Sequence, residues 1–122
     1  MWVFTKHGYI GVVEHRDDPS TLIVRGRVEA DLVALKERYF TEMEEIEFNE
    51  VADYPYRANI SEAGFAKGMS LVAYDIDYAR FKPAVKKEQG RTRSDLYSDV
   101  WRVLIDLEVD PERIDKYFNR VR

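Results

Sequence analysis

The feature that most limits how this chain can fold is a strand–helix plan used twice. VRGRVEADL (24–32) and YRANISEAGF (56–65) match with one inserted residue. Each runs an arginine-bearing strand into a helix that opens with Glu-Ala. A candidate strand and a turn precede each segment, so the order reads ββα–ββα, followed by further helices. That order is a circular permutation of βαββαβ. It predicts an α+β fold: an antiparallel sheet of about four to five strands with helices packed on one face, a permuted ferredoxin-like sandwich followed by C-terminal helices.

Period-2 patterning places strands at 2–5, 8–16, 21–27, 45–51 and 56–60. In the third, Leu22, Val24 and Gly26 share one face, and Ile23, Arg25 and Arg27 the other. In the fifth, Tyr56, Ala58 and Ile60 oppose Arg57 and Asn59. Helical spacing covers 29–40 (Leu32, Leu35, Tyr39) and 62–76 (Phe65, Met69, Val72, Ile76), the latter capped by Ser61. Gly64 and Gly68 on that helix lower its propensity and predict close packing. Asp77 is a candidate cap for a short helix bearing Tyr78 and Phe81, which Pro83 breaks or restarts. A loop is expected around Gly90. Residues 94–108 carry two adjoining stripes, Leu96/Val100/Val103/Leu107 and Tyr97/Trp101/Leu104, which predict contacts on two sides. Asp110 and Pro111 open a last helix with Ile114, Tyr117 and Phe118 on one face. At 122 residues, the chain reads as one domain, 1–122, with 94–122 its helical extension.

The chain has no cysteine, which removes disulfides and thiolate chemistry and fits a cytoplasmic setting. No apolar run reaches the ~20 residues of a membrane span, and no basic region precedes the first apolar stretch, so neither a membrane nor a signal peptide is expected. The net charge of −4 argues against duplex nucleic acid as a partner. Charge is unevenly placed: 41–53 holds six acids and no base, and 80–93 six bases and one acid. Such runs are either solvated faces or, for the basic one, a contact segment.

The arginine-bearing sheet face is the leading candidate site. Arg25, Arg27 and Arg57, with Asn59 beside them, offer guanidinium forks suited to carboxylate or phosphate. The competing reading is an ordinary solvated face, or arginines paired with the glutamates of 44–50. Two aromatic-rich corners flank this face. In DYPYR (53–57), Asp53 and Pro55 shape a turn around Tyr54, where a cis bond is conceivable. In DIDYARFK (75–82), Tyr78 and Lys82 either anchor the segment or line a cleft. His7 and His15 are too far apart along the strand to share a metal. Asp75-Ile76-Asp77 resembles a metal motif but reads as capping. There is no GxSxG, Walker, GxGxxG or HExxH pattern, so no cofactor, metal or catalytic residue is assigned.

Together, MWVFTKHGYIGVV, LIVRGRVEADLVALKERY, DYPYR, DIDYARFK and LYSDVW resemble a family of small uncharacterised bacterial proteins. The resemblance covers roughly residues 1–104. Gly11 stands where several relatives have serine, so any role of that side chain is absent here. The resemblance implies no activity and carries over no catalytic residue.

The expectation is therefore a non-enzymatic accessory or regulatory module that binds an anionic ligand or a protein partner through the arginine face. Two alternatives stand beside it. One is an interaction subunit or inhibitor, such as a phage-type counter-defence protein or a homodimer through the C-terminal helices. The other is a small enzyme with an unrecognised site. Single-stranded nucleic acid, stacked on Trp2, Phe4 and Tyr9, is the weakest of the binding options.

Overall fold

A computed structural model describes residues 1–108 together with 112, 113, 115, 116 and 119. Its strands are β1 (Trp2–Thr5), β2 (Gly8–Glu14), β3 (Thr21–Gly26), β4 (Glu47–Phe48) and β5 (Tyr56–Ser61). Its helices are α1 (Glu29–Arg38), α2 (Glu62–Tyr74), α3 (Phe81–Gln89) and α4 (Arg91–Val103), with a 3-10 turn at Leu104–Leu107. The sheet runs β1-β2-β3-β5-β4, and every pairing is antiparallel. Strands β2 to β5 have the order expected of the permuted ferredoxin-like sandwich. β1 extends the sheet as an additional edge strand.

Strand alternation decides the two faces. Ile10, Val12, Val24, Ala58 and Ile60 are buried beneath α1 and α2, where they meet Leu32, Leu35, Phe40 and Phe65. Turn chemistry fixes the register. Asp18 accepts bonds from the Ser20 amide, the Ser20 hydroxyl and the Thr21 hydroxyl, closing the β2–β3 hairpin. Ser61 caps α2 by accepting from the Gly64 amide at 3.0 Å. α1 has no side-chain cap, but acids in its first turn and Lys36 and Arg38 in its last turn complement its dipole. The glycines of α2 sit against the chain that leaves α1. A Cβ on Gly68 would lie 2.1 Å from Cδ1 of Phe40, whose ring stacks on Phe65 at 5.2 Å.

Several boundaries differ from the sequence reading. The strand expected over 45–51 shrinks to Glu47–Phe48, with Phe48 exposed. α2 stops at Tyr74, so Ile76 lies beyond it and faces solvent. The loop expected at Gly90 is that single residue, at φ +91°, with basic residues taken into the helices on either side. α4 begins at Arg91. Of its two expected stripes only Tyr97 is buried; Leu96, Val103, Leu104 and Leu107 are exposed. Asp77 does not cap α3, whose N-cap is Arg80 without a side-chain bond. Lys6 engages Asp77 instead, at 3.0 Å, which fixes the carboxylate to the β1–β2 turn. Tyr54–Pro55 is trans. The last helix expected from Asp110, with Pro111, Ile114, Tyr117 and Phe118, falls outside the described residues.

Candidate functional site: the outer face of the sheet

One row of residues crosses the sheet on the face away from α1 and α2. Trp2 pairs with Gly11, Gly11 with Arg25, Arg25 with Arg57, and Arg57 with Glu47. Arg25 and Arg57 are thus direct cross-strand partners, an arrangement in which like charges repel. Among the described residues neither forms an ion pair. Glu47 is the neighbouring residue on β4, yet it makes no salt bridge to Arg57. The Nε atoms of both arginines are buried without a hydrogen-bond partner.

Tyr54 is the floor of this arrangement. The chain entering β5 folds back so that the Tyr54 ring lies over Gly11, with Cζ 3.4 Å from where a Cβ would stand. The guanidinium carbons of Arg25 and Arg27 sit 4.7 and 4.5 Å from the ring centroid, within cation–π range. Arg27 also donates to the Asp53 carbonyl at 2.7 Å. The Tyr54 and Tyr9 hydroxyls are 2.7 Å apart. Burial, with the bond to Tyr54, pushes the Tyr9 phenol well above its ordinary value, so it stays a neutral hydrogen-bonding group.

Asn59 lies on the same face, two residues beyond Arg57 and opposite Ile23. Five of the seven sequence-nominated residues therefore come together: Arg25, Arg27, Arg57, Asn59 and Tyr54. The other two stand elsewhere. Tyr78 is in the α2–α3 connection, its ring 5.7 Å from Lys6 Nζ and 6.0 Å from the Phe81 ring. Lys82 is on α3, 4.2 Å above the Trp101 ring.

Sequence reasoning named Tyr9 only as a stacking ring beside the arginines and missed its hydrogen bond to Tyr54. The signal was present, because Tyr9 alternates with Ile10 and must face outward when Ile10 is buried. It also missed Asp31 and Arg93. Asp31 on α1 accepts from the Tyr9 amide at 3.0 Å and pairs with Arg93 of α4 at 2.6 Å. This contact brings α4 to the outer face, where Tyr97 meets Phe4 edge-on and Phe4 stacks on Tyr9. A cleft of about 270 Å³, lined by Trp2, Tyr9, Arg27, Arg93, Leu96 and others, lies between α4 and the sheet. Phe4 and Tyr9 are occupied with each other, so of the proposed stacking trio only Trp2, 68% exposed, offers an open ring.

The histidines are separate. His15 accepts from the Asp17 amide in the hairpin turn. His7, with a side chain 7% exposed, has its nitrogens 3.9 Å from Asp75 and 3.8 Å from Glu88. Burial, with the nearby Arg38 and Lys6 cations, outweighs those carboxylates and lowers its pKa from 6.5. The unfolded chain therefore takes up this proton at a higher pH than the folded one. His7 should make stability fall as pH drops through 6.5 toward the lower folded value. Thermal melts between about pH 7.5 and 5.5 should show that slope, and His7→Gln should flatten it. An unchanged slope in the variant would remove His7 as its source. No group of three or more His, Asp or Glu suited to a metal occurs among the described residues, and no helix there is long and apolar enough to cross a membrane.

Compared with protein-family models, curated proteins and solved structures, the chain matches none.

Proposed function

We propose that this protein is a non-enzymatic, cytoplasmic accessory or regulatory module. It binds an anionic ligand, or an acidic segment of a protein partner, on the outer face of its sheet. The observation that carries the reading is the Arg25–Arg57 pair, cross-strand neighbours with no carboxylate between them. Facing arginines are unfavourable in the free protein. A bound phosphate or carboxylate would reverse the sign of that interaction and give both forks an acceptor. Tyr54 supports the reading by holding Arg25 and Arg27 against its ring, which limits the side-chain entropy lost on binding.

Inorganic pyrophosphate titrated by calorimetry at low salt is the test. Wild type should bind saturably and weaken as salt rises. Arg25→Ala/Arg27→Ala/Arg57→Ala should lose at least about tenfold in affinity. Arg57→Ala alone should leave stability unchanged or slightly raised. Unchanged binding in the triple variant would refute the site.

A second reading, an interaction subunit or homodimer, is favoured by one observation. Leu96, Val103, Leu104 and Leu107 form exposed apolar surface along α4 and the turn after it.

A further inference from the structure

The basic segment 80–93 is not spent on the sheet face. It builds α3, and α3 and α4 enclose a second cavity of about 560 Å³. Its body is apolar and mostly aromatic: Phe4, Phe81, Tyr97, Val100, Trp101 and Leu104. The aromatic wall is ordered by ring contacts, with Phe81 stacked on Tyr97 at 5.9 Å and 8°, and Tyr97 edge-on to Phe4 at 5.1 Å. Two lining residues, Arg80 and Lys82, are basic, and none is acidic. Neither cation forms a salt bridge among the described residues; Lys82 lies over the Trp101 ring at 4.2 Å. Asp77, three residues before Arg80 in the chain, is committed to Lys6, and Asp31, which lines the neighbouring cleft, to Arg93.

An apolar cavity of this size with unpaired positive charge beside it selects a molecule that is greasy at one end and anionic at the other. A neutral hydrocarbon would leave Arg80 and Lys82 without an anionic partner. A small inorganic anion would leave the aromatic wall wet. We infer that the α3–α4 cavity is a binding site for an amphipathic organic acid, its body against Phe81, Tyr97 and Trp101 and its carboxylate toward Arg80 and Lys82. This site lies on the α3 side of the Phe4–Tyr97 wall and does not depend on the arginine face.

The test compares octanoate with octan-1-ol, using calorimetry and the fluorescence of Trp101 in a Trp2→Phe background. Octanoate should bind one saturable site, about tenfold more tightly than octan-1-ol, the difference expected of one charge-assisted contact. Arg80→Gln/Lys82→Met should bring octanoate down to the alcohol's affinity and leave the alcohol unchanged. Val100→Trp should fill the cavity and abolish both. Equal affinity of acid and alcohol in the parent, octanoate binding that survives Val100→Trp in a folded protein, or no saturable binding would each overturn the inference. So would a stable dimer that excludes octanoate, because the cavity would then belong to a second copy. Arg25→Gln/Arg57→Gln should leave octanoate binding intact. If it alone removed binding, the ligand would sit on the sheet face, refuting this site and supporting the other.

Discussion

Gly68→Ala is expected to destabilise the protein by about 1–2 kcal/mol in urea unfolding, although alanine is the better helix former by ~1 kcal/mol. The added Cβ would stand 2.1, 2.6 and 3.0 Å from Cδ1, Cε1 and Cγ of Phe40. Phe40 is fully buried and stacked on Phe65 in nearly parallel planes, 7° apart. It cannot swing toward solvent, so relief requires α2 to move away from the segment after α1. Gly64→Ala is the internal control. Its closest contacts are 3.1 Å, to Glu42 Cβ and Ser61 Oγ, so its neighbours need shift only slightly. That change should cost far less or be neutral. Adding Phe40→Leu to Gly68→Ala should recover part of the loss. Equal stability of Gly68→Ala and the parent would show that α2 does not press on Phe40 in solution.

Asp31→Ala is expected to cost about 3 kcal/mol, near the lower end of the range for deleting one partner of a buried pair. The carboxylate is almost wholly buried and answers two donors, the Tyr9 amide and the Arg93 guanidinium. Without it, both are left unsatisfied. Arg93→Met should cost less, because Asp31 keeps the Tyr9 amide and the methionine retains apolar contact with Tyr97. The order of the two variants in denaturant melts is therefore diagnostic: an arginine variant as costly as the aspartate variant would mean that the amide bond contributes little. Because this contact ties β2 and α1 to α4, Asp31→Ala should also loosen the Phe4–Tyr97 wall. Near-ultraviolet circular dichroism of the tyrosine bands would show it.

The part of the fold legible in the sequence is the part governed by local rules. Alternation at Leu22–Arg25 and Tyr56–Ile60 gave the two faces and so placed Arg25, Arg57 and Asn59 together. Ser61 and the two α2 glycines announced a cap and a close approach, and both are present. What was not legible depends on partners distant in sequence. Asp77 looked like a helix cap because capping is local; Lys6, 71 positions away, takes it. Nothing in the sequence around Asp31 singles it out, and only the fold brings Tyr9 and Arg93 to it. Tyr54 read as a turn residue, since nothing in DYPYR says its ring will cross β3 to cover Gly11. The stripes of α4 failed for a related reason. Spacing reveals which apolar residues share a side, not whether another element arrives to cover them.

Gly90 is the whole connection between α3 and α4. Its φ of +91° is one that side-chain-bearing residues rarely adopt, and open space surrounds the position where a Cβ would be. Ser94 donates across the corner to the Lys82 carbonyl at 3.0 Å, so the two helices behave like leaves joined at a single pivot. The gap between Phe81 and Trp101 is accordingly set by the pair of backbone angles at Gly90 together with the Phe81–Tyr97 stack and the Lys82–Trp101 contact that bridge the helices. A lineage could retune how large a molecule fits between those leaves by altering one codon, leaving every residue of the lining as it is.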